Sequence, residues 1–334
     1  MSTLARAAVE TAPRPARGSV PRDLGRRLLA FGRRRRTALT IAGSVAAAAL
    51  LVAVLAGRRA EFTTALSSVS LWVLVSTVLL QVVALVSRSE AWHLTIEAAG
   101  GTLDRRVLYR ASSMQVLGGV LNGHLGVAAR IAALRRSAPG GCPQVSTLVA
   151  AEFPILAIEA MLAAAASFTL VAPLGLPWWL PLIGLAAVAL VSAGLRQLAL
   201  RKGRELWRGL AVLRSLRGGS RVVAFVLVAV FAQIFRNWIL LRGVGVDASI
   251  FDATAVLIAV VTLGQLPVGP TVGAAAAMLI LGRDGVAAAA AGGLLLTVTG
   301  TLGGLCFAAW AGADHFWSAA RRGRMRPSAA DAPP

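Results

Sequence analysis

Residues Leu263 to Gly273 read LGQLPVGPTVG, and they sit inside an apolar run, 253–282, that otherwise has the composition of a membrane-spanning helix. Pro267 and Pro270 have no amide hydrogen to donate, and Gly269 and Gly273 weaken a helix. In hydrocarbon no water satisfies the freed backbone groups, so such a break is tolerated only against protein or a polar cavity. Each half of the run, about 253–266 and 271–282, is shorter than the ~20 residues that cross a bilayer. The stretch therefore reads as the turn of a re-entrant hairpin.

The rest of the chain supports a bilayer setting. Of 334 residues, 57% are hydrophobic and 14% charged, and mean hydropathy is +0.73; soluble domains carry about 25% charged residues. The net charge of +20 comes from arginines clustered between apolar segments. They form no basic stripe with aromatic partners, so nucleic acid is not expected as a partner. Residues 1–37, ending in Arg33 to Arg36, form a basic tail with too little apolar content to fold alone. Ala38 to Ala56 is longer than a signal-peptide core of about 7–15 residues, and it is expected to be the first span. Further spans are expected at about 70–90, 147–171, 178–195, 222–241 and 286–311, which makes six. Residues 313–334 form a second basic tail.

Positive charge in loops assigns the sides. Both tails and the loop Arg196 to Arg221 belong in the cytoplasm, and the sparse loops Pro173 to Pro177 and Gly243 to Ser249 outside. Two leftover apolar stretches, 107–129 and 253–282, must then begin and end on one side each. The first is broken by GGVLNG (Gly118 to Gly123), with Arg105 and Arg106 before it and Arg130, Arg135 and Arg136 after it, so it enters from the cytoplasm. The second enters from outside. The fold class expected for residues 38–312 is thus all-α, a polytopic membrane helix bundle of about six full spans plus two re-entrant hairpins. Its halves, about 70–171 and 222–311, form an inverted-topology repeat. Broken apolar segments at matching places in two inverted halves point to a transporter's binding region.

The hairpins echo each other in NGHLG (Asn122 to Gly126) and GPTVG (Gly269 to Gly273). With NGHLGVAAR (Asn122 to Arg130), AAEFPILAIEA (Ala150 to Ala160) and PVGPTVG (Pro267 to Gly273), the chain resembles the flippase-like membrane family typified by the transmembrane region of lysylphosphatidylglycerol synthases. Gly126, Arg130, Glu152 and Gly273 match that family's motifs. Val127 stands where its glutamate is usual, Phe153 where an arginine follows the acid, and Gly-Pro where it has Pro-Gly. The resemblance implies a bacterial plasma-membrane protein that translocates or handles an amphipathic lipid, an aminoacylated phospholipid or a polyprenyl-linked sugar. Only a short basic tail follows Ala311, so the soluble aminoacyl transferase domain of bifunctional members is not expected, and the chain is read as no enzyme.

The polar residues inside the apolar segments complete the expected substrate-binding set. Intramembrane ionisable groups usually mark a pathway or a paired internal site. Glu152 and Glu159 lie seven apart and share a helix face. Gln233, Arg236 and Asn237 meet at i, i+3 and i+4. A guanidinium fork suits a phosphate headgroup, and an Arg236 to Glu159 pair is expected to close the empty site. Arg236 near the outer end also suits plain snorkelling, Arg130 a positive-inside anchor, and Glu152 solvation at the cytoplasmic end. His124, Asn122, Gly123 and Gly126 line the first hairpin turn, and Pro267, Gly269, Pro270 and Gly273 the second. Cys142 and Cys306 lie far apart and no second His or Cys sits at ligand spacing, so neither a metal nor any other cofactor is expected.

The segment Arg201 to Arg217 spaces Leu206, Leu210, Leu213 and Leu216 as an amphipathic helix on the membrane surface. Gly300 and Gly304 form a small-xxx-small pair, with Gly293 and Gly303 nearby, that suits close helix packing. Two other classes remain open. Glu90 and Asp104 beside the first hairpin suit a membrane-embedded transferase using a polyprenyl phosphate, and the degenerate motifs suit a non-transporting scaffold for a partner enzyme of envelope lipid synthesis.

Overall fold

The computed structural model describes residue 49 and residues 56–121, 123–138, 141–200, 205–263, 272–281 and 285–324. The expected first span, Ala38 to Ala56, lies almost wholly outside them. Every regular element among the described residues is helical. A short α1 (Arg59–Ser67) precedes α2 (Leu71–Ala98), and α3 (Arg105–Leu121) and α4 (Gly123–Ser137) make a hairpin. The next span is segmented into α5 (Val145–Ala150), α6 (Phe153–Ala166), a 3₁₀ turn (Ser167–Leu170) and α7 (Val171–Leu174). Then come α8 (Leu180–Leu200), a 3₁₀ segment (Glu205–Arg214), α9 (Leu216–Gly243), α10 (Ile250–Leu263), α11 (Val272–Leu281) and α12 (Val286–Arg324). Five stretches are long and apolar enough to cross a membrane: Leu71–Ala98, Val145–Leu174, Leu180–Leu198, Leu216–Gly243 and Val286–Ala313. They coincide with five of the six expected spans.

Local chemistry sets several boundaries. Ser70 and Ser215 are extended N-caps whose side chains accept from the Val73 and Gly218 amides at 3.4 and 3.0 Å. Gly175 closes α7 in the left-handed region at φ 61°, where a side chain would strain the turn. Pro154 in the first turn of α6 lacks the amide that would have continued α5. The span expected as one helix from 147 to 171 is therefore broken at Ala151–Glu152, and Glu152 occupies the N-cap of α6.

Two separate cores place the hairpins. One joins Trp92 and Ile96 of α2, Leu108, Ala111, Ile131 and Leu134 of the first hairpin, Leu148 and Ile155 of the broken span, and Val222 of α9. The other joins the far end of α9 (Leu240, Leu241) with Ala253 and Val256 of α10, Ala276 and Ile280 of α11, and Ala289 of α12. Leu108 and Leu134 share the first core while Gly118 meets Gly126, so α3 and α4 run antiparallel from one end of the bundle. Phe251 and Asp252 line a common cleft with Ile280 and Leu281, beside Thr169 and Pro173, so α10 and α11 likewise start and finish at the opposite end.

The ends differ in charge. Exposed Arg105, Arg106, Arg135, Arg136, Arg208, Arg214, Arg217 and Arg221 crowd the end of the first hairpin. At the other end Arg58 pairs with Glu61 and Arg242 with Asp247, at 3.9 and 2.9 Å. Exposed Leu71, Trp72, Leu79, Leu190, Val191, Phe231, Val261, Leu279 and Leu305 form an apolar exterior, which suits lipid rather than water.

One expectation is overturned here. An amphipathic surface α-helix is expected over Arg201–Arg217, and its described part, Glu205–Arg214, is not one. That part is 3₁₀, Leu210 is fully buried, Leu213 packs on the core around Trp92, and Leu216, the first residue of α9, is exposed. Gly209 explains the burial: a Cβ there would meet the Thr147 carbonyl oxygen at 2.5 Å, so the segment sits directly on the α5 backbone.

Candidate functional site

The first charged cluster joins α2, α4 and the broken span. Arg130 of α4 is buried, its side chain 1% exposed, and its guanidinium forms an ion pair with Glu152. The same guanidinium lies over the Trp92 ring, 3.7 Å from its centroid, where the ring's negative face favours a cation. The break at Glu152 gives this carboxylate its position at the head of α6. Neither bland alternative holds, since Arg130 is no solvated loop anchor and Glu152 is no solvated terminus.

One helical turn before Trp92, Arg88 bonds Glu159 at 2.5 Å, and this pair is partly exposed. Glu152 and Glu159 thus do face the same way, toward α2 and α4. The expected Arg236 to Glu159 pair is not formed; Glu159 is taken by Arg88. Sequence reading passed over Arg88 because it sat at the edge of a span expected to end near 90. In the structure α2 continues to Ala98, which places Arg88 and Trp92 within the helix. The rule that singled out Glu159, an ionisable group in an apolar segment, applied equally to Arg88.

The second cluster centres on Arg236 of α9. Its Nη1 donates to Gln81 and, at 2.7 Å, to Gln233, and its Nη2 donates to the Leu296 carbonyl oxygen of α12. Gln233 also donates to Gln81 at 2.8 Å. Arg236 is 8% exposed and points into the bundle, so it does not snorkel. Gly300 makes this possible, because a Cβ there would stand 3.1 Å from Nη2. Asn237 is buried on the same helix. Gln81, a mid-span amide on α2, was the missed partner; only its polarity within an apolar run marked it.

The turn residues divide. Asn122, Pro267, Gly269 and Pro270 lie outside the described residues, while Gly123 and His124 open α4. Gly126 packs against Gly118, and Gly273 packs against Gly293 of α12 so tightly that neither tolerates a Cβ. Gly303 and Gly304 meet Gln81 and Val116, so the glycines of α12 seat α2, α3, α9 and α11 in turn.

Near the basic end, Glu90 accepts from the Tyr109 hydroxyl and lies 3.8 Å from Arg105, while Asp104 accepts from the Arg106 amide at 3.3 Å. Asp104 is thereby a helix-capping group. No group of three or more His, Cys, Asp or Glu side chains suited to a metal occurs among the described residues. Cys142 lies in the loop before α5, where burial pushes its thiol above the usual range against the opposing pull of Arg135.

Three open clefts accompany these clusters. One of about 590 Å³ lies at the sparse end beside Phe168 and Asp252, and one of about 310 Å³ at the basic end beside Thr102, Cys142 and Arg208. The third, about 320 Å³ and almost wholly apolar, runs between α6 and α8 past Leu156, Ala160 and Val188. Neither charged cluster opens into them.

Apolar spans of this number, folded around internal charges, define a polytopic all-α integral membrane protein. No known family, characterised protein or solved structure matches the chain.

Proposed function

We propose that the protein is a flippase-like membrane protein that translocates or handles an amphipathic lipid, with its basic end and both termini in the cytoplasm. The observation that carries this reading is the joining of a hairpin from one end of the bundle to a broken span by the buried Arg130–Glu152 pair. Helix pairs that enter from opposite ends of the bundle suit a transporter, in which a headgroup needs polar partners where water is scarce. The partly exposed Arg88–Glu159 pair offers opposite charges toward the membrane half that also holds the apolar cleft between α6 and α8. The motif resemblance to the lysylphosphatidylglycerol synthase membrane region, and with it a bacterial plasma-membrane setting, supports the same assignment.

The test is leaflet movement. Purified protein is reconstituted in proteoliposomes carrying a fluorescent phospholipid, and the fraction accessible to an external quencher is followed. Movement faster than in empty vesicles is expected, slowed by Glu159→Gln at normal insertion. A rate equal to empty vesicles across aminoacylated, anionic and polyprenyl-linked lipids sinks the reading.

A further inference from the structure

Among the described residues, every buried or half-buried charge on the span helices has a charged counterpart except one. Arg130 has Glu152 and Arg88 has Glu159. Of the other carboxylates on these helices, Glu90 is held by Tyr109 and Arg105, and Glu97 is exposed at the basic-end terminus of α2. Arg236 has only the neutral oxygens of Gln81, Gln233 and Leu296, and its Nε has no partner. Amide and carbonyl dipoles satisfy hydrogen bonds but leave the net charge, and an uncompensated cation in a low-dielectric bundle is costly. Such a charge is stabilised by an anion.

We infer that Arg236 is the seat of a phosphate-class oxyanion. Its shape favours this class, since the buried, unpaired Nε–H edge of a planar guanidinium matches two oxygens of a phosphate. Gly300 lets the fork pack against α12, where a Cβ would stand 3.1 Å from Nη2, and Gln81, which bridges Arg236 and Gln233, couples α2 to α9 at the seat. The seat itself follows from the charge inventory alone. Its identification with a lipid headgroup rests on the translocation reading, because a lipid reaches it from within the bilayer and a free phosphate only through water.

The test is binding to the full chain in a neutral detergent at fixed ionic strength, read as thermal stabilisation. The probes are a short-chain phosphatidic acid, the matching diacylglycerol and inorganic phosphate. Wild-type protein is expected to be stabilised saturably by phosphatidic acid and not by diacylglycerol. Arg236→Gln should abolish the effect and Arg236→Lys should weaken affinity by roughly tenfold or more, since a point charge lacks the fork. Gly300→Ala, which keeps the arginine but narrows its surroundings, should also weaken it. Equal stabilisation by inorganic phosphate assigns a free oxyanion, and stabilisation by the lipid alone assigns a headgroup. No stabilisation by either anion, or the same affinity in wild type, Arg236→Gln and Gly300→Ala, overturns the seat. Anion binding without leaflet movement would retain the seat and remove the translocation reading; leaflet movement without anion binding would do the reverse.

Discussion

Arg130 and Glu152 form an ion pair inside the bundle, with the guanidinium over Trp92, and the pair ties the first hairpin to the one span that breaks at its own acid. The break and the pair are one device. Pro154 ends the α5 hydrogen-bond ladder, and Glu152, left at the head of α6, faces the arginine of α4.

Removing one partner leaves the other buried and unpaired, which costs about 3–5 kcal/mol. Arg130→Met and Glu152→Leu are each expected to lower the melting temperature of the purified protein sharply, and the double variant to recover much of the loss. A double variant as unstable as the sum of the singles would show that the two groups act separately.

The α11–α12 contact depends on two glycines. Gly293→Ala places a methyl against the Gly273 carbonyl and Ala274, and overpacking of this kind costs about 1–3 kcal/mol. Gly184→Ala, where nothing lies within 4 Å, should leave stability unchanged. Equal melting curves for the two variants would contradict the close approach.

Opposite entry of the hairpins is open to chemical labelling. In a Cys142→Ser, Cys306→Ser background, Arg136→Cys at the basic end and Asp247→Cys at the sparse end should react with an impermeant maleimide from opposite faces of sealed vesicles. Arg136 and Asp247 are both exposed. Labelling of both from the same face would overturn the two-ended arrangement.

The Cys142 thiol is raised by burial, so it remains protonated further into alkaline pH in the folded protein than in the unfolded chain. The sign follows: its contribution to stability is complete below the unfolded thiol's ordinary range and is lost as pH rises through the folded value. In a Cys306→Ser background, iodoacetamide alkylation of native protein should show a midpoint above that of the denatured chain. Coincident midpoints would exclude a buried thiol.

Apolar length, helix breakers and loop charge determined a great deal by themselves: five spans fall where hydropathy put them, and the segments flanking each broken stretch fold back as parity required. These are one-dimensional properties, because a bilayer imposes its thickness and charge asymmetry on each segment separately. Pairing was decided only in three dimensions. Glu159 chose Arg88 over Arg236, Gln81 joined Arg236, and Leu210 turned inward beside Gly209. Which helix faces which depends on close packing at small residues such as Gly300 and Gly293, and sequence spacing along one helix carries no record of its neighbour across the bundle.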